Sequence, residues 1–204
     1  MPDVNGPPRT SLRDERAAVT RNRITGAARS LFRSRGYGAT TLVEIAEEAG
    51  VAVQTVYAVY RSKPGILRAL RESVLRQPEA EALYEQALRE SDGDRTIELI
   101  ARSIRSRWES GADVVAIDRD AASADADVRV DLDAILAIRR AGLARLAHSL
   151  EGSFAPDIDA NRAAAILDAI TLPEVYLELV EVHRWLPDEY EAWLSETLQH
   201  QLIG

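Results

Sequence analysis

Apolar residues recur at helical spacing along most of the chain, and no segment shows the sustained alternation of apolar and polar residues that marks a half-buried strand. The first stripe is aliphatic and aromatic: Ile24, Ala27, Ala28, Leu31 and Phe32. It predicts a helix that begins near Ser11 or Thr20 and ends at Arg35. Gly36 is well placed as its left-handed C-cap, because glycine adopts positive φ at little steric cost.

Two short helices are predicted next. The segment Thr41-Leu-Val-Glu44 has the form of a capping box, in which the hydroxyl and the carboxylate each accept a hydrogen bond from an otherwise unpaired backbone N–H. This box predicts a helix over 41–49 that ends at Gly50. A second short helix is predicted over about 53–59.

The remainder of the chain is also predicted to be helical. Pro64 opens one helix in the first-turn position that proline tolerates, and later breaks are marked by glycine and proline. The predicted helices cover 64–77, 79–90, 95–110, 112–123, 126–151, 159–183 and 187–202. The expected fold class is therefore all-α.

Charge divides the chain into two parts. Residues 1–76 hold 13 Lys/Arg and 7 Asp/Glu, a net charge of +6, whereas residues 77–204 hold 12 Lys/Arg and 26 Asp/Glu, a net charge of −14. A basic part attracts phosphate and an acidic part repels it. Nucleic acid is therefore expected at the N-terminal part, while the acidic helices either provide a solvated surface or receive a partner.

Composition disfavours several classes of protein. The 204 residues include no cysteine, which excludes disulfides and thiolate metal sites, and 46% of them are hydrophobic, as in ordinary globular proteins. No apolar run approaches the roughly 20 residues that span a bilayer, and the N-terminus lacks the apolar core of a signal peptide. We expect a soluble, cytoplasmic protein without a membrane partner.

Catalytic and metal-binding patterns are not found either. The sequence has no cysteine nucleophile and no recognisable Ser-His-Asp grouping, so an enzyme is not expected. Neither His148 nor His183 follows a glutamate by three residues, as helical di-metal sites require. We therefore expect no metal and no cofactor.

The two short helices have the composition of a helix-turn-helix DNA reader. A steep helix crossing needs small and aliphatic residues, and the chain supplies Ile45, Ala46, Ala49, Val51 and Val56. The second helix can then lie in a major groove with its first residues at the base edges. The candidate base readers are Val53, Gln54, Thr55 and Ala58. A glutamine can pair with an adenine edge, and valine or alanine can pack on a thymine methyl group.

Polar side chains around this helix are candidates for the phosphate contacts that set its register. They are Thr41, Tyr57, Tyr60 and Lys63. Each tyrosine could instead be packed in the fold, and the lysine could be merely solvated. A basic arm with Arg9, Arg13 and Arg16 either enters a minor groove or is a disordered tail.

At these positions the sequence resembles the TetR family of bacterial transcription regulators. The resemblance covers about 24–70 and rests on Ala27-Ala28, Leu31-Phe32, Gly36-Tyr37, Thr40-Thr41, Ile45-Ala46, Ala49-Gly50-Val51, Thr55-Val56-Tyr57, Tyr60, Ser62-Lys63 and Leu67. Two positions depart from the usual pattern. Ala52 replaces a Ser that often caps the recognition helix, which removes an N-cap oxygen worth about 1 kcal/mol. Val59 replaces a common aromatic residue at the rim.

The resemblance implies a domain organisation and a function. We divide the chain into a flexible basic arm (1–18), a three-helix helix-turn-helix DNA-binding domain (19–63) and a helical effector-binding and dimerisation domain (64–204). The implied function is a ligand-responsive transcriptional regulator, most often a repressor, that binds a palindromic operator on double-stranded DNA as a homodimer. A small-molecule effector would release it. The alternative is a helix-turn-helix regulator controlled by a protein partner.

The last two predicted helices carry apolar stripes suited to a dimer interface. In TetR-like proteins these helices pair with their mates as a four-helix bundle, and this role is transferred here by position and amphipathicity. The candidate interface residues are Ile166, Ile170, Leu179, Trp193, Leu194 and Leu198. The alternative is that these stripes face only the core of their own chain.

The middle helices are expected to enclose the effector. Arg139 stands where the spacing of the helix over 126–151 calls for an apolar residue, and an unpaired buried charge is very costly. It therefore requires either an acidic neighbour or an anionic ligand. Trp108 and Tyr176 are further effector-binding candidates, with ordinary core packing as the alternative.

Overall fold

The computed structural model describes residues 12–203 of the chain. Helices make up 81% of the structure, and residues 12–203 include no β-strand, which confirms the all-α prediction. The helices are α1 (Leu12–Arg35), α2 (Leu42–Ala49), α3 (Val53–Tyr60), α4 (Lys63–Leu75), α5 (Pro78–Ala87), α6 (Gly93–Ala124), α7 (Ala126–Ser149), α8 (Ala160–Ile170), α9 (Pro173–Tyr176) and α10 (Pro187–Leu202). A π-helical segment over Leu177–Val182 follows α9.

The chain forms two compact units, residues 1–69 and residues 70–204, and the division falls within α4. The boundary predicted from the sequence lies between Lys63 and Pro64. The structural division lies six residues further along, because the first turns of α4 belong to the N-terminal unit, where Ile66 and Leu67 are both 0% exposed.

The first helix is longer at its start than the domain prediction allows. Residues 1–11 of the expected arm lie outside the described residues, but residues 12–18 are helical and extend α1. This stretch is rich in Arg, Glu and Ala, which are strong helix formers, and Asp14 and Glu15 lie in the first turn, where the helix dipole favours negative charge. The earlier of the two predicted helix starts, near Ser11, is thus the better one.

The capping box predicted at the start of α2 is present. The Glu44 N–H donates to Thr41 Oγ1 at 3.2 Å, and the Thr41 N–H donates to a Glu44 carboxylate oxygen at 2.8 Å. These hydrogen bonds hold the pKa of Glu44 below its ordinary value, and the backbone hydrogen bond from Thr41 is the largest cause. Arg35 lies 3.1 Å from the other carboxylate oxygen, so the end of α1 is tied to the start of α2.

In the C-terminal unit, α6 is the central helix and packs against α5, α7, α9 and α10. The aspartates that cap α6, α7 and α8 accept backbone N–H groups, and prolines open α5, α9 and α10. These signals are local in the sequence. The observed starts of α5, α6, α7, α8 and α10 therefore lie within two residues of the predicted ones.

Two breaks differ in form from the prediction. The helices predicted on either side of Gly111 form one element, α6, which is kinked at that glycine. A Cβ at this position would collide with the Val74 side chain, so the close approach of the α6 backbone explains the glycine. The helix predicted over 159–183 ends at Ile170, and Pro173 begins the short helix that leads into the π-helical segment.

A buried ion cluster joins α4, α6 and α7. The Arg71 guanidinium donates from Nε and Nη2 to the two carboxylate oxygens of Asp118 at 2.8 and 2.9 Å, and its Nη1 lies 3.5 Å from Asp131. Arg71 and Asp118 are only 6% and 1% exposed. Loss of either partner would leave a charge without its counter-ion in the core, which is costlier than replacing both by apolar residues.

Removal of one partner should destabilise the C-terminal unit strongly. Asp118→Ala should lower the free energy of unfolding by roughly 3–5 kcal/mol, because Arg71 then keeps only its longer contact with Asp131. The double variant Arg71→Met/Asp118→Leu should recover most of that loss. Urea unfolding at one fixed protein concentration, followed by tryptophan fluorescence, measures this, since all three tryptophans lie beyond residue 70. Equal losses in the single and double variants would contradict the prediction.

The capping box should make stability depend on pH through Glu44. Because the pKa of Glu44 is lowered in the folded state, the capping box stabilises the fold fully above the ordinary pKa of 4.5. This stabilisation is lost as the pH falls through the folded-state pKa. Glu44→Gln keeps a side chain suited to the box but does not titrate. Between about pH 6 and about pH 3 the Tm of the wild type should fall further than that of the variant. Glu48→Gln on the same helix is the control, and its Tm should fall with pH as that of the wild type does. The prediction is contradicted if the Tm of Glu44→Gln falls with pH in parallel with that of the wild type.

Candidate DNA interface and effector site

Gly50 builds the turn between α2 and α3. Its φ of 61° and ψ of 43° are left-handed, and its N–H closes α2 by donating to the Glu47 carbonyl at 3.0 Å. Four of the five predicted crossing residues are buried, and the fifth, Val51, is half-buried: Ile45, Ala46, Ala49 and Val56 are at most 3% exposed. The predicted pair of short helices joined by a tight turn is therefore present.

Two residues that support this arrangement were not identified from the sequence. Arg23 donates from Nη2 to the Gly50 carbonyl at 3.1 Å, which links α1 to the turn. Gly65 lets the start of α4 approach the end of α3, since a Cβ there would collide with the Tyr60 carbonyl oxygen. The first contact joins residues 27 positions apart, and no local pattern reports it.

The second short helix presents several of the predicted DNA contacts at the surface. Gln54 and Ala58 are exposed, and Tyr57 is 53% exposed, whereas Val53 and Thr55 are half-buried. The N-cap is Ala52, and it makes no side-chain capping hydrogen bond, as the sequence predicts. Any capping of this helix therefore comes from the backbone, where the Ala52 carbonyl accepts the Thr55 N–H at 2.9 Å.

The other three candidates, which lie around this helix, are engaged within the N-terminal unit. The exposed Thr41 hydroxyl lies 2.8 Å from the Glu44 carboxylate. The Tyr60 hydroxyl donates to the Arg21 carbonyl at 3.4 Å, and burial raises its pKa. Lys63, which is the only lysine in the sequence, donates to the Tyr37 carbonyl at 2.7 Å. For all three, contact with DNA stays a prediction.

In the C-terminal unit, Trp108 and Arg139 meet at Thr171. The indole Nε1–H of Trp108 donates to the Thr171 carbonyl at 3.0 Å, and Arg139 Nη2 donates to the Thr171 hydroxyl at 2.7 Å. Trp108 is 6% exposed and Thr171 is fully buried. Thr171 therefore links α6 and α7 at the C-terminal end of α8.

Arg139 has the acidic neighbour that its position requires. The Asp168 carboxylate forms an ion pair with it, and Arg139 Nη2 also donates to the Asp168 carbonyl at 3.2 Å. Burial lowers the pKa of Arg139 to about 10, while the nearby Glu174 carboxylate opposes this shift. The internal pairing foreseen as one alternative is therefore present.

Tyr176 belongs to an aromatic cluster with Tyr190 and Trp193. It is 5% exposed and packs edge-on against Tyr190, with ring centres 4.9 Å apart at 82°. The Tyr190 ring also lies 5.9 Å from that of Trp193. Tyr190 is not among the predicted site residues, because its position in the apolar stripe of the last helix gives no sign of a polar role.

Two of the dimer candidates lie in the core of their own chain. Leu194 and Leu198 are 0% exposed there, and their contact with a second copy stays a prediction that no exposed surface supports. They lie on the buried face of α10, and α10 packs against α6. Ile166, Ile170, Leu179 and Trp193 are half-buried and keep surface that a second copy can cover, so their role stays a prediction.

Within residues 12–203, no group of His, Asp or Glu side chains is arranged to hold a metal ion. Over the same range, no helix is both long enough and apolar enough to cross a bilayer.

Sequence comparison places the DNA-reading segment in a known family. Residues 24–70 match the sequence model of the bacterial regulatory proteins of the tetR family. A segment of 76 residues is 40% identical to YvkB, an uncharacterised helix-turn-helix transcriptional regulator of Bacillus subtilis. This match takes in 34% of the chain and spans 40% of the length of that relative.

Solved structures resemble the chain over nearly its whole length. NalD, the secondary repressor of the MexAB-OprM multidrug efflux pump in Pseudomonas aeruginosa, has a TM-score of 0.71 at 22% identity, covering 93% of this chain and 98% of its own. The regulator FadR of Bacillus subtilis, in complex with stearoyl-CoA, has a TM-score of 0.68 at 17% identity, and the match covers 86% of this chain and 96% of FadR. These likenesses concern the fold. The family match covers the DNA-reading segment, residues 24–70, which thus carries the sequence pattern of the tetR family of bacterial regulatory proteins, and the likeness over the rest of the chain is one of fold.

Proposed function

We propose that this regulator binds a palindromic operator in double-stranded DNA as a homodimer, represses transcription there, and is released by a small-molecule effector. The observation that carries the proposal is the exposed outer surface of α3 on a helix-turn-helix, within the part of the chain that is positively charged. Residues 1–76 carry +6 and residues 77–204 carry −14, so phosphate is attracted to the N-terminal part only. The protein acts by binding, without catalysis, in the cytoplasm.

Base reading is assigned to the first half of α3. Gln54 is exposed in the first turn of the helix, where residues of a recognition helix reach base edges. Its amide can pair with the two polar atoms of an adenine edge, while Val53 or Ala58 can pack on a thymine methyl group. Thr55 is a further candidate at the same end of the helix.

Phosphate contacts are assigned to the residues around α3. Tyr57 is the best placed, because more than half of its surface is exposed. Thr41, Tyr60 and Lys63 add hydroxyl and ammonium groups near the ends of α2, α3 and α4. Such contacts fix the register on the duplex and carry no sequence information.

Dimerisation is assigned to α8, the π-helical segment and α10. Ile166, Ile170, Leu179 and Trp193 are half-buried apolar residues of these elements, and Val182 and Leu186, between α9 and α10, are 62% and 65% exposed. A two-fold dimer reads a palindrome when its two recognition helices are about one helical turn apart, ~34–36 Å. An effector releases the protein if it binds more tightly to a dimer with a different spacing.

Control by a small molecule is supported by the structural neighbours. One of them is a repressor of a multidrug efflux pump, and another holds stearoyl-CoA. In this chain, Trp108, Arg139 and Tyr176 combine a charge and aromatic surface within the helical unit, which suits an organic ligand. We therefore assign the effector to this cluster.

The proposed function is tested by fluorescence anisotropy with a palindrome from the promoter region of the protein's own gene. At ~0.15 M salt, where non-specific binding is weak, this duplex should bind far more tightly than a random duplex of equal length. The complex should contain two chains per palindrome. Equal affinity for both duplexes would reject the proposal.

Two substitutions should separate base reading from phosphate contact. Gln54→Ala should weaken binding to the palindrome by about 1–3 kcal/mol, through the loss of contact with one base pair. Its affinity for duplexes in which that base pair is changed should equal that of the wild type. Lys63→Met should weaken binding to every duplex alike and reduce the salt slope by about 0.9. Gln86→Ala, an exposed Gln on α5, is the matched control for the first change.

Lys63→Met also removes a contact within the N-terminal unit, so its effect must be separated from unfolding. Circular dichroism at the assay temperature should show the full helix content of the wild type. Uniform losses on all duplexes for both variants would contradict the division of roles.

A further inference from the structure

The hydroxyl of Tyr190 is held in the core without a partner. Tyr190 is 0% exposed, and its hydroxyl makes no hydrogen bond to any of residues 12–203. Buried tyrosine hydroxyls are normally bonded, because the hydrogen bond lost from water is otherwise not replaced. The half-buried Tyr84 in the same unit has a bonded hydroxyl, which donates to the Gly142 carbonyl at 2.9 Å.

Two aromatic rings pack against the ring of Tyr190. Tyr176 meets the Tyr190 ring edge-on at 4.9 Å, and Trp193 lies 5.9 Å from it and 6.1 Å from Trp185. Ring edges and faces in such a cluster favour a further aromatic ring over an aliphatic chain, because their quadrupoles attract in edge-to-face and offset geometries.

The neighbouring polar groups are already paired. Arg139 and Tyr190 are close enough for each to influence the pKa of the other, but Asp168 balances the charge of Arg139 and Thr171 accepts from it. The Trp108 indole N–H is likewise taken by the Thr171 carbonyl. Burial raises the pKa of Tyr190, so its hydroxyl keeps its proton and can donate it.

An unusual stretch of backbone follows Tyr176 in the chain. The π-helical segment Leu177–Val182 directly follows Tyr176, and none of its residues is buried. Longer stretches of π-helix are rare, and π-helical turns are frequently found at functional sites. Because none of its side chains is buried, the π-helical segment can move aside for an incoming ligand at low cost in packing.

We propose that the effector is an aromatic molecule with a hydrogen-bond-accepting oxygen, and that the Tyr190 hydroxyl donates to this oxygen while Tyr176 contacts the ring. The inference rests on the proposed function for the statement that the ligand is an effector. A single donor beside a neutralised guanidinium suits a ketone, quinone, phenol or singly charged carboxylate. It does not suit a phosphate group, which needs several donors or an unbalanced cation.

The first test compares the stability of ligand-free variants. Tyr190→Phe removes a hydroxyl that has no partner, so its Tm should rise by roughly 2–4 °C in a chain of this size. Tyr84→Phe removes a hydroxyl that is bonded, and its Tm should fall by a similar amount. A Tm of Tyr190→Phe that is equal to or below that of the wild type overturns the proposal.

The second test uses acetophenone and ethylbenzene, which share a ring and a similar shape but differ in the carbonyl oxygen. Acetophenone should raise the Tm of the wild type more than ethylbenzene does at the same concentration, and its Kd should weaken roughly tenfold in Tyr190→Phe. Tyr84→Phe should keep the preference. Equal shifts with both probes in the wild type, or an unchanged Kd in Tyr190→Phe, overturn the proposal.

The two proposals can fail separately. Specific binding of the palindrome together with no preference for acetophenone would remove the ligand assignment and leave the regulator intact. A Tyr190-dependent preference for acetophenone in a protein that does not distinguish the palindrome from random DNA would keep the site and remove its role in DNA release.

Discussion

A guanidinium group buried among helices must be paired, and this constraint organises the C-terminal unit. Arg71 holds α4, α6 and α7 together through Asp118 and Asp131. Arg139 does the same for α7 and the end of α8 through Asp168 and Thr171. Because each guanidinium has fixed donor directions, the carboxylates that meet it fix how neighbouring helices are placed. The apolar core can then fill the remaining space.

The N-terminal unit depends on backbone geometry more than on charge. A left-handed Gly50, a capping box at Thr41 and the small residues at the crossing set the direction of α3. The weak point is the start of α3, where Ala52 offers no side-chain cap. The exposed residues of α3 also include few polar side chains, and Gln54 is the one that we propose reads a base edge. Under the proposed function, sequence preference would then also draw on methyl contacts and on DNA shape.

Features encoded by neighbouring residues were predictable, and features encoded across the chain were not. The capping box, the Gly50 turn and the uncapped Ala52 each depend on a few adjacent positions, so their patterns could be read directly. The Arg71 cluster joins residues 47 positions apart, and no periodicity reports such a pairing. The stripe of α10 shows the same limit: spacing identifies an apolar face, but it does not say whether Leu194 and Leu198 meet a partner or, as here, the chain's own core.

The identity of Lys63 has a consequence for chemical modification. The chain contains 25 basic residues of the Lys/Arg type, and this is the single lysine among them. Its ammonium bonds the Tyr37 carbonyl and lies 4.4 Å above the Tyr37 ring, at the beginning of α4. Any enzyme or reagent that acylates lysine side chains therefore has one target in the whole sequence. Acylation there would turn the ammonium into a neutral amide and loosen the start of α4 from the turn that follows α1.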